Sequence, residues 1–446
     1  MSMGMELTEI VKWAGIAGAG GAGFPTHVKL AAKPEYVIVN GAECEPLLRV
    51  DRQLGAACAK ELLAALSAVA KELGAKHAVY ALKEKYHEAV SALSAEVKNF
   101  SGIEIFLLPN MYPAGDEQVL VYEVTKRIVP EGGIPLAVGC VVINVETLLN
   151  IYNAIHNGRP VTEKYLTVTG AVRNPATVKV PLGVSFEEVI ALCGGPQIKD
   201  YAVIEGGPMM GKLVKELTAP VTKTTKGLIL LPSEHPVIAS KNKKLETMMK
   251  LARSACCHCM LCTDVCPRAL LGHSIHPDKM MRIASYGGIC DNSSDITEAF
   301  LCCECGLCEQ ACIMGLQPWK LHNELKRKLA ANGIKNPRHN APEAAHPFRE
   351  YRKFPISRLV RRLGLNAYDA PALFAPELIL TPQSVTLPLR QSAGAPAVPV
   401  VAVGEHVDAG DLVAEIPERA LGCRLHASIS GEIKAITGKA IRIEKE

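Results

Sequence analysis

Residues 36–46 read YVIVNGAECEP, an apolar run that ends in a polar loop. The aromatic and β-branched residues of Tyr36–Asn40 predict a strand that is buried on both faces. Similar runs occur at His77–Leu82 and Ile103–Leu108, and segments with helical patterning separate them. Because strands that alternate with helices form parallel sheets, residues 1–160 predict a doubly wound α/β domain.

The helical segments of this domain have apolar residues at intervals of three and four. They are Met5–Ala14, Asp51–Leu73, Glu84–Phe100 and Glu117–Val129. Gly74 directly follows the second segment, and glycine at that place is typical of a helix end. We therefore expect one long helix between the first two strands.

Residues 161–220 have a different pattern. Two short strands flank a turn, and Ser185 with Glu188 then forms a capping pair that begins a helix. This order predicts a small β-grasp-like module. A polar connection is predicted to follow it, with Lys223, Lys226, Lys241, Lys243 and Lys244.

Three segments complete the chain. Residues 245–330 are predicted to be helical and hold most of the cysteines. Residues 331–376 are rich in proline and arginine, which predicts a linker or an extended wrapping segment. Its basic side chains could dock an acidic partner, but a solvated linker is the favoured prediction. These side chains are Arg349, Arg352, Lys353, Arg358, Arg361 and Arg362. Short strands with glycine between them predict a small β-sandwich or barrel over residues 377–446.

The composition excludes several classes of protein. A chain of 446 residues is long enough for about three domains. A net charge of +4 is too small for a dedicated nucleic-acid binder, and no apolar stretch is long enough for direct membrane insertion. The first residues, MSMGMELTEIVKW, lack the basic and apolar regions of a signal peptide. We therefore expect the 16 cysteines to be reduced, in the cytoplasm.

Two cysteine motifs share the spacing of bacterial ferredoxins, in which the fourth cysteine of each motif ligates the other cluster. The first [4Fe–4S] cluster is accordingly assigned Cys256, Cys259, Cys262 and Cys312. The second is assigned Cys302, Cys305, Cys308 and Cys266. Zinc fits poorly, because its structural sites use two separated cysteine pairs. The other cysteines are predicted to be small buried side chains: Cys44, Cys58, Cys140, Cys193, Cys257, Cys290, Cys303 and Cys423.

A glycine-rich loop, GAGGAGFP at residues 18–25, formally contains G-x-G-x-x-G. It follows a helical pattern instead of a strand, so it is not a dinucleotide fingerprint. Its glycines predict a cradle in which backbone N–H groups approach a phosphate, and Lys29 adds a positive charge. A second glycine motif, Gly206 to Lys212, imitates a nucleotide-binding loop, but Leu213 stands where Ser or Thr must bind magnesium.

Polar clusters follow three strands, at 40–46, 112–117 and 144–147. With the glycine loop they resemble the FMN-binding 51 kDa subunit of complex I. The resemblance implies that FMN is held by Gly18, Ala19, Gly20, Gly21, Lys29, Asn40, Glu43, Glu45, Tyr112, Gly115, Asp116, Glu117, Asn144 and Thr147. It also implies that Phe24 borders NADH and that Glu43 and Glu45 serve catalysis at the hydride site.

The resemblance extends along the chain. A Rossmann-like flavin domain, an SLBB-like β-grasp domain, a helical domain with two [4Fe–4S] clusters and a C-terminal barrel-sandwich hybrid domain resemble the RnfC family. This order is similar to that of the cobalamin reductases of propanediol-utilisation microcompartments. It implies an NADH-dependent flavoprotein oxidoreductase that reduces a corrinoid or a protein acceptor. A corrinoid adenosyltransferase and shell proteins are the other implied partners, in the cytoplasm or inside a bacterial microcompartment.

Two alternative functions stay open. The first is an electron-entry subunit that docks on a membrane ion-translocating complex, as RnfC does. The second is a ferredoxin-like scaffold without flavin. Reduction of a corrinoid by the purified protein alone would favour a cobalamin reductase over the first alternative. The presence of FMN would exclude the second alternative.

Overall fold

The computed structural model describes residues 6–286 and 294–445. Its first domain contains α1 (Leu7–Trp13), α2 (Thr26–Lys29), β1 (Tyr36–Gly41), α3 (Val50–Ala57), α4 (Ala59–Leu73), β2 (His77–Lys83), α5 (His87–Glu96), β3 (Ile103–Leu108), β4 (Met111–Tyr112), α6 (Glu117–Thr125), β5 (Cys140–Asn144) and α7 (Val145–Asn157). Four parallel strands form its sheet in the order β3-β2-β1-β5. The predicted doubly wound sheet is thus confirmed.

Both faces of this sheet are covered. Val37 and Val39 of β1 belong to one hydrophobic core, and Ile38 between them belongs to another. The chain runs from β1 outward through β2 and β3, and then crosses to the other side of β1 for β5. The carboxyl ends of β1 and β5 therefore form a topological switch point, the place where ligands bind in such sheets.

One predicted helix is wrong. The stretch predicted as a single helix forms α3 and α4, because Cys58 between them has a non-helical backbone (φ −123°, ψ 33°). Gly74 ends α4 with a φ of 62°, as predicted. The break lets α3 turn away from α4, and this turn brings the start of α3 to the polar loop after β1.

The second domain contains β6 (Glu163–Gly170), β7 (Ala176–Pro181), α8 (Phe186–Leu192), β8 (Tyr201–Glu205), β9 (Lys212–Leu213) and β10 (Gly227–Pro232). Ser185 and Glu188 form the predicted capping box at α8. Strand β10 lies between β6 and β8, so the sheet continues past residue 220. The predicted polar connection is wrong at Lys223 and Lys226, because both side chains are buried and have partners inside the protein.

The cysteine-rich region is helical, as predicted. Its helices are α9 (Pro236–Asn242), α10 (Leu245–Ala255), α11 (Leu261–Asp264), α12 (Pro267–Leu270), α13 (Pro277–Tyr286), α14 (Leu307–Ala311) and α15 (Pro318–Ala331). Short helices carry the cysteine motifs, and α10, α13 and α15 pack around them in a core of methionine, leucine and alanine.

The segment from 331 to 376 wraps around the other domains, so the favoured prediction of a solvated linker is wrong. It contains β11 (Phe354–Pro355), α16 (Ile356–Arg362) and β12 (Leu373–Phe374). Strand β11 pairs with β4 of the first domain, and β12 pairs with β7 of the second. Its basic side chains have internal partners: Arg349 and Lys353 pair with Glu123, and Arg352 pairs with Asp264.

The last domain is a two-layered sandwich, as predicted. Its strands are β13 (Ser384–Pro388), β14 (Val398–Pro399), β15 (His406–Val407), β16 (Leu412–Glu415), β17 (Leu425–His426), β18 (Gly431–Ile436) and β19 (Ala440–Glu444). They form sheets of four and three strands. Side chains of this sandwich and of the first domain share one hydrophobic core.

The cysteines outside the motifs differ in exposure. Cys140, Cys193 and Cys423 are buried as predicted, whereas Cys44, Cys58 and Cys303 are half-buried. Cys257 is exposed, because the loop that carries the first motif lies at the surface, so the prediction for Cys257 is wrong. Cys290 lies outside the described residues. Every cysteine in the described ranges is a free thiol.

Among residues 6–286 and 294–445, no single helix has the length and apolarity that a membrane crossing requires. Helices α3 and α4 meet that requirement only when counted together, and they are bent by 94° where they meet.

Acid is expected to destabilise the protein through His426. Burial, and then the charges of Lys223 and Arg424, lower the pKa of His426 to about 3. In the unfolded chain this histidine binds a proton at the ordinary pKa of about 6.5. His426 therefore lowers the free energy of unfolding by about 1.4 kcal/mol for each pH unit below 6.5, until the pH reaches its pKa in the folded protein. Urea unfolding of His426→Phe from about pH 4.5 to 6.5 is expected to show a slope smaller by this amount.

The exposed His87 provides the matched control for this experiment. His87→Gln should keep the slope of the unmodified protein. An unchanged slope in His426→Phe would contradict the assignment.

Candidate functional site

The glycine loop lies over the switch point of the first sheet. The backbone N–H of Ala19 donates to Oγ1 of Thr147 at the start of α7, over 2.9 Å. Gly20 and Gly21 are exposed. A Cβ on Gly20 would lie 3.7 Å from Asn144, and one on Gly21 would meet nothing within 4 Å. The loop therefore borders open space beside the carboxyl end of β5.

Lys29 and Phe24 form one wall of this space. The ammonium of Lys29 donates to the carbonyl of Val142 over 3.0 Å and pairs with Glu117 over 3.1 Å. It also lies 5.9 Å from the ring centre of Phe24. Both partners of the ion pair are partly exposed, so the cation is accessible to an anion in the cleft.

Asparagines at the ends of β1 and β5 form the floor. Asn40 and Asn144 are neighbours across the parallel pair β1–β5. Asn40 donates to the carbonyl of Gly115 over 2.9 Å, which joins β1 to the loop before α6. Asn144 caps α7 by accepting from the backbone N–H of Glu146 over 3.0 Å. We call this arrangement the flavin cleft, after the cofactor that the sequence resemblance implies: Gly18–Gly21, Phe24, Lys29, Asn40, Gly115, Glu117, Asn144 and Thr147.

The carboxylate of Glu43 binds the start of α3. Its carboxylate accepts from the backbone N–H groups of Asp51 at 2.9 Å and Arg52 at 3.3 Å, so it stabilises the start of α3. Burial, and then the charge of Asp51, raise the pKa of Glu43. Its backbone φ of 33° lies in the left-handed region, which shows that the loop is held in a sharp turn.

Glu45 contacts the second domain. Its two oxygens accept from the backbone N–H groups of Met209 and Met210, each over 2.9 Å. Burial raises the pKa of Glu45. The loop that imitates a nucleotide-binding motif thus binds an anion, but the anion is a carboxylate of this same chain.

Tyr112 and Asp116 link the loop that borders the flavin cleft to the two cysteine motifs. The hydroxyl of buried Tyr112 donates to the carbonyl of Cys305 over 2.7 Å. Asp116 caps α6 and also pairs with Arg268 over 2.8 Å. Arg268 follows Cys266 by two residues, so both motifs contact the loop that borders the cleft.

A buried charge network beneath the cleft was missed by sequence reasoning. Asp51 accepts from Asn144 over 3.0 Å and pairs with Lys226, and Lys164 pairs with Glu146. Both lysines belong to the second domain, and both acids belong to the first. The alternation of strands gives no signal for such pairs, because they depend on how two domains pack.

Thiols of the two cysteine motifs lie close enough to influence one another. Burial, and then the charges of Asp278 and Cys312, raise the pKa of Cys262 to about 12. Burial, and then the charges of Cys302 and Cys266, raise the pKa of Cys308. Cys266 and Cys302 also pack in one small hydrophobic cluster, and Cys256 and Cys312 pack against another. Crossed ligation of two [4Fe–4S] clusters stays a prediction.

Arg268 supplies a further observation that fits an iron–sulfur cluster. Its guanidinium is buried beside Cys266, and its Nη1 has no hydrogen-bond partner in the described part of the chain. A cluster with thiolate ligands is anionic and presents sulfur acceptors. The donor set and this unpartnered N–H group of Arg268 therefore fit the predicted second cluster.

Four protein families match the chain. The Nuo51 FMN-binding domain matches residues 11–153, and the SLBB domain matches 165–213. A 4Fe-4S dicluster domain matches 255–317, and the RnfC barrel sandwich hybrid domain matches 377–446. These matches confirm the predicted order of domains.

Relatives cover almost the whole chain. The cobalamin reductase PduS of Salmonella typhimurium is 44% identical over 441 residues, which are 98% of this chain and 96% of the relative. The chain belongs to the PduS family. The cobalamin reductase PduS of Citrobacter freundii is 43% identical over 440 residues, with the same shares of both chains covered.

A component of the Na(+)-translocating ferredoxin:NAD(+) oxidoreductase complex of Acetobacterium woodii is similar over a shorter part. It is 38% identical over 266 residues, which are 58% of this chain and 57% of the relative. This PduS-family chain is thus an iron–sulfur flavoprotein oxidoreductase, and its resemblance to RnfC is confirmed.

Proposed function

We propose that this protein oxidises NADH and reduces a corrinoid through FMN and two [4Fe–4S] clusters. In the balanced reaction, one NADH reduces two cob(II)alamin molecules to cob(I)alamin and gives NAD⁺ and one proton. The observation that carries the proposal is the contact of the loop bordering the flavin cleft with the segments of both cysteine motifs, through Tyr112–Cys305 and Asp116–Arg268. The PduS relatives, which are named cobalamin reductases, support the choice of acceptor.

The flavin cleft holds FMN in this proposal. Lys29 and the backbone N–H groups of the glycine loop bind the phosphate, and Asn40 and Asn144 line the floor beneath the ring. FMN, when bound, accepts two electrons as a hydride and can release them singly. Phe24 lies at the cleft wall, where a nicotinamide can pack against an aromatic ring.

In this proposal, Glu43 and Glu45 act as positioning residues. Their oxygens are engaged by backbone N–H groups, which fixes the loop after β1 between α3 and the second domain. Tyr112 positions the second motif in the same way, and Asp116 positions the end of the first motif through Arg268. Direct catalytic contact by Glu43 or Glu45 stays a prediction.

The proposed order of the clusters follows from burial. Cys266, Cys305 and Cys308 of the second cluster are buried beside the loop that borders the cleft, whereas Cys259 of the first cluster is exposed. We infer that Cys266, Cys305 and Cys308 would hold a cluster close to the flavin cleft, and that the motif of Cys259 would hold a cluster near the surface, where it would supply electrons to an acceptor. The cytoplasmic or microcompartment location and the adenosyltransferase and shell partners stay predictions.

Anaerobic assays of the purified chain test the proposal. We expect about one FMN and about eight iron atoms per chain, bleaching of the visible spectrum by NADH, and reduction of cob(II)alamin without any other protein. Reduction of methyl viologen without reduction of cob(II)alamin would contradict the proposal and favour the RnfC-like alternative. Iron without flavin would favour the scaffold alternative.

Gly20→Val is expected to weaken FMN binding at least about tenfold, because its side chain would fill the cradle that the phosphate needs. The fold should tolerate the change, since a Cβ at this position meets only Asn144, at an ordinary contact distance of 3.7 Å. Equilibrium binding of FMN to the deflavinated protein measures the effect. Gly438→Ala, at an open position in the sandwich, is the matched control. Equal FMN affinity in both variants would place the flavin elsewhere.

A further inference from the structure

A cavity of about 370 Å³ lies beside the cysteine motifs, apart from the flavin cleft. Its walls come from the loop at Pro208–Met209, from α9, from the second cysteine motif, from the start of α15 and from the end of α16. Cavities of this size hold small molecules or parts of larger ones. Of these lining residues, only Cys312 and Met209, whose backbone N–H binds Glu45, have a role in the function described above.

The cavity has an excess of positive charge. Lys241, Lys243 and Arg362 line it, and their side chains donate only to backbone carbonyls. Within the described ranges, none of the three forms an ion pair with a carboxylate. Glu309 is the acidic side chain of the lining, and the hydroxyl of Ser240 and the indole N–H of Trp319 already bind its oxygens. Lys243 and Arg362 are therefore available to an anionic ligand, whereas the charges of Glu45 and Glu309 already act on Lys241.

The rest of the lining is aromatic and apolar. Trp319, Met209, Val237 and Leu363 give the cavity walls that suit a planar ring. A ligand that combines a ring with a phosphate would satisfy both parts of the lining. Cations recognise the phosphate, and the apolar walls bury the ring.

The cavity also lies where electrons are proposed to leave the protein. Cys312, a ligand assigned to the first cluster, and Gly306, next to Cys305 of the second, both line it. The short helix α14 joins these two positions. A molecule in the cavity thus contacts the chain segment that connects the two clusters.

We propose that this cavity binds the nucleotide tail of the corrinoid acceptor, with its phosphodiester at Lys243 and Arg362 and its base against Trp319. The cavity is too small for a complete corrinoid, so the corrin ring stays at the surface near the first cluster. Each cobalt takes one electron there and passes from Co(II) to Co(I). This inference rests on the proposed function, and it adds where and by which chemistry the acceptor is held.

The test compares two corrinoids on the holoprotein. Cobalamin carries the nucleotide tail, and cobinamide lacks it. In Lys243→Gln with Arg362→Gln, we expect the KM for cob(II)alamin to rise at least about tenfold with little change in kcat. The KM for cob(II)inamide, the KM for NADH and the rate with methyl viologen should stay unchanged.

Lys244→Gln with Arg361→Gln is the matched control, because these neighbours carry the same charges outside the cavity lining. The charge-retaining variant Lys243→Arg with Arg362→Lys should restore the KM, and iron and FMN contents verify intact cofactors. Equal KM values for cob(II)alamin in the two glutamine variants, or an equal rise for cobinamide, would overturn the cavity assignment alone. No reduction of either corrinoid by the unmodified protein, with methyl viologen still reduced, would instead overturn the proposed function.

Discussion

Cys266→Ala is expected to lose at least about four of about eight iron atoms and to stop NADH-driven reduction of cob(II)alamin. Cys266 lies in the first motif but is placed among the thiols of the second, near Cys302 and Cys308. Removing it leaves the second cluster with three thiolates. Because that cluster adjoins the flavin cleft, electrons from NADH would no longer reach the first cluster.

Iron content, electron paramagnetic resonance of the NADH-reduced protein and cob(II)alamin reduction measure this effect together. Reduction of ferricyanide by NADH, which needs only the flavin, should persist. Cys257→Ser is the matched control, since Cys257 lies in the same loop, outside the motif spacing, and is exposed. It should keep all its iron. Full iron and activity in Cys266→Ala would contradict crossed ligation.

Arg349→Met is expected to destabilise the protein by about 3 kcal/mol or more, because it leaves the buried charge of Glu123 without its closest cation. The guanidinium of Arg349 lies 2.6 Å from Glu123, and both side chains are only 6% exposed. It also lies 4.5 Å from the ring centre of Tyr122. Lys353 lies farther from Glu123, at 3.1 Å, and cannot replace the lost contacts.

Urea unfolding followed by circular dichroism measures the loss. Combining Arg349→Met with Glu123→Gln should recover part of the stability, since the buried carboxylate that lost one of its two cations then disappears. Arg358→Met, an exposed arginine of the same segment, is the control and should change the stability by less than about 0.5 kcal/mol. Similar effects at Arg349 and Arg358 would show that this segment does not depend on the buried pair.

Local patterns in the sequence predicted most elements of the fold. Strand β1, the end of α4 at Gly74 and the capping box at Ser185 depend on nearby residues, and all three are confirmed. The wrapping segment from 331 to 376 was misjudged, because its short strands are stabilised by β4 and β7, far away in sequence. Proline and arginine in a sequence do not show which surface such a segment covers.

In the candidate site, too, local motifs were predicted and contacts between distant segments were not. The glycine loop, Lys29, Asn144 and Thr147 meet at the switch point, as the motifs indicated. The partners of Glu43 and Glu45 could not be foreseen, since a carboxylate that binds backbone N–H groups of another segment leaves no spacing pattern. The cavity beside Cys312 is likewise built from five separate segments.

The core shared by the first domain and the sandwich has a consequence for biosynthesis. Residues such as Val37 pack in the same core as Ile443, which the ribosome adds about 400 residues later. The cysteine loops emerge before the last strands that complete this core. Iron–sulfur clusters can therefore be inserted while the flavin domain is still unfinished, and chains truncated before the sandwich should be substrates for proteolysis.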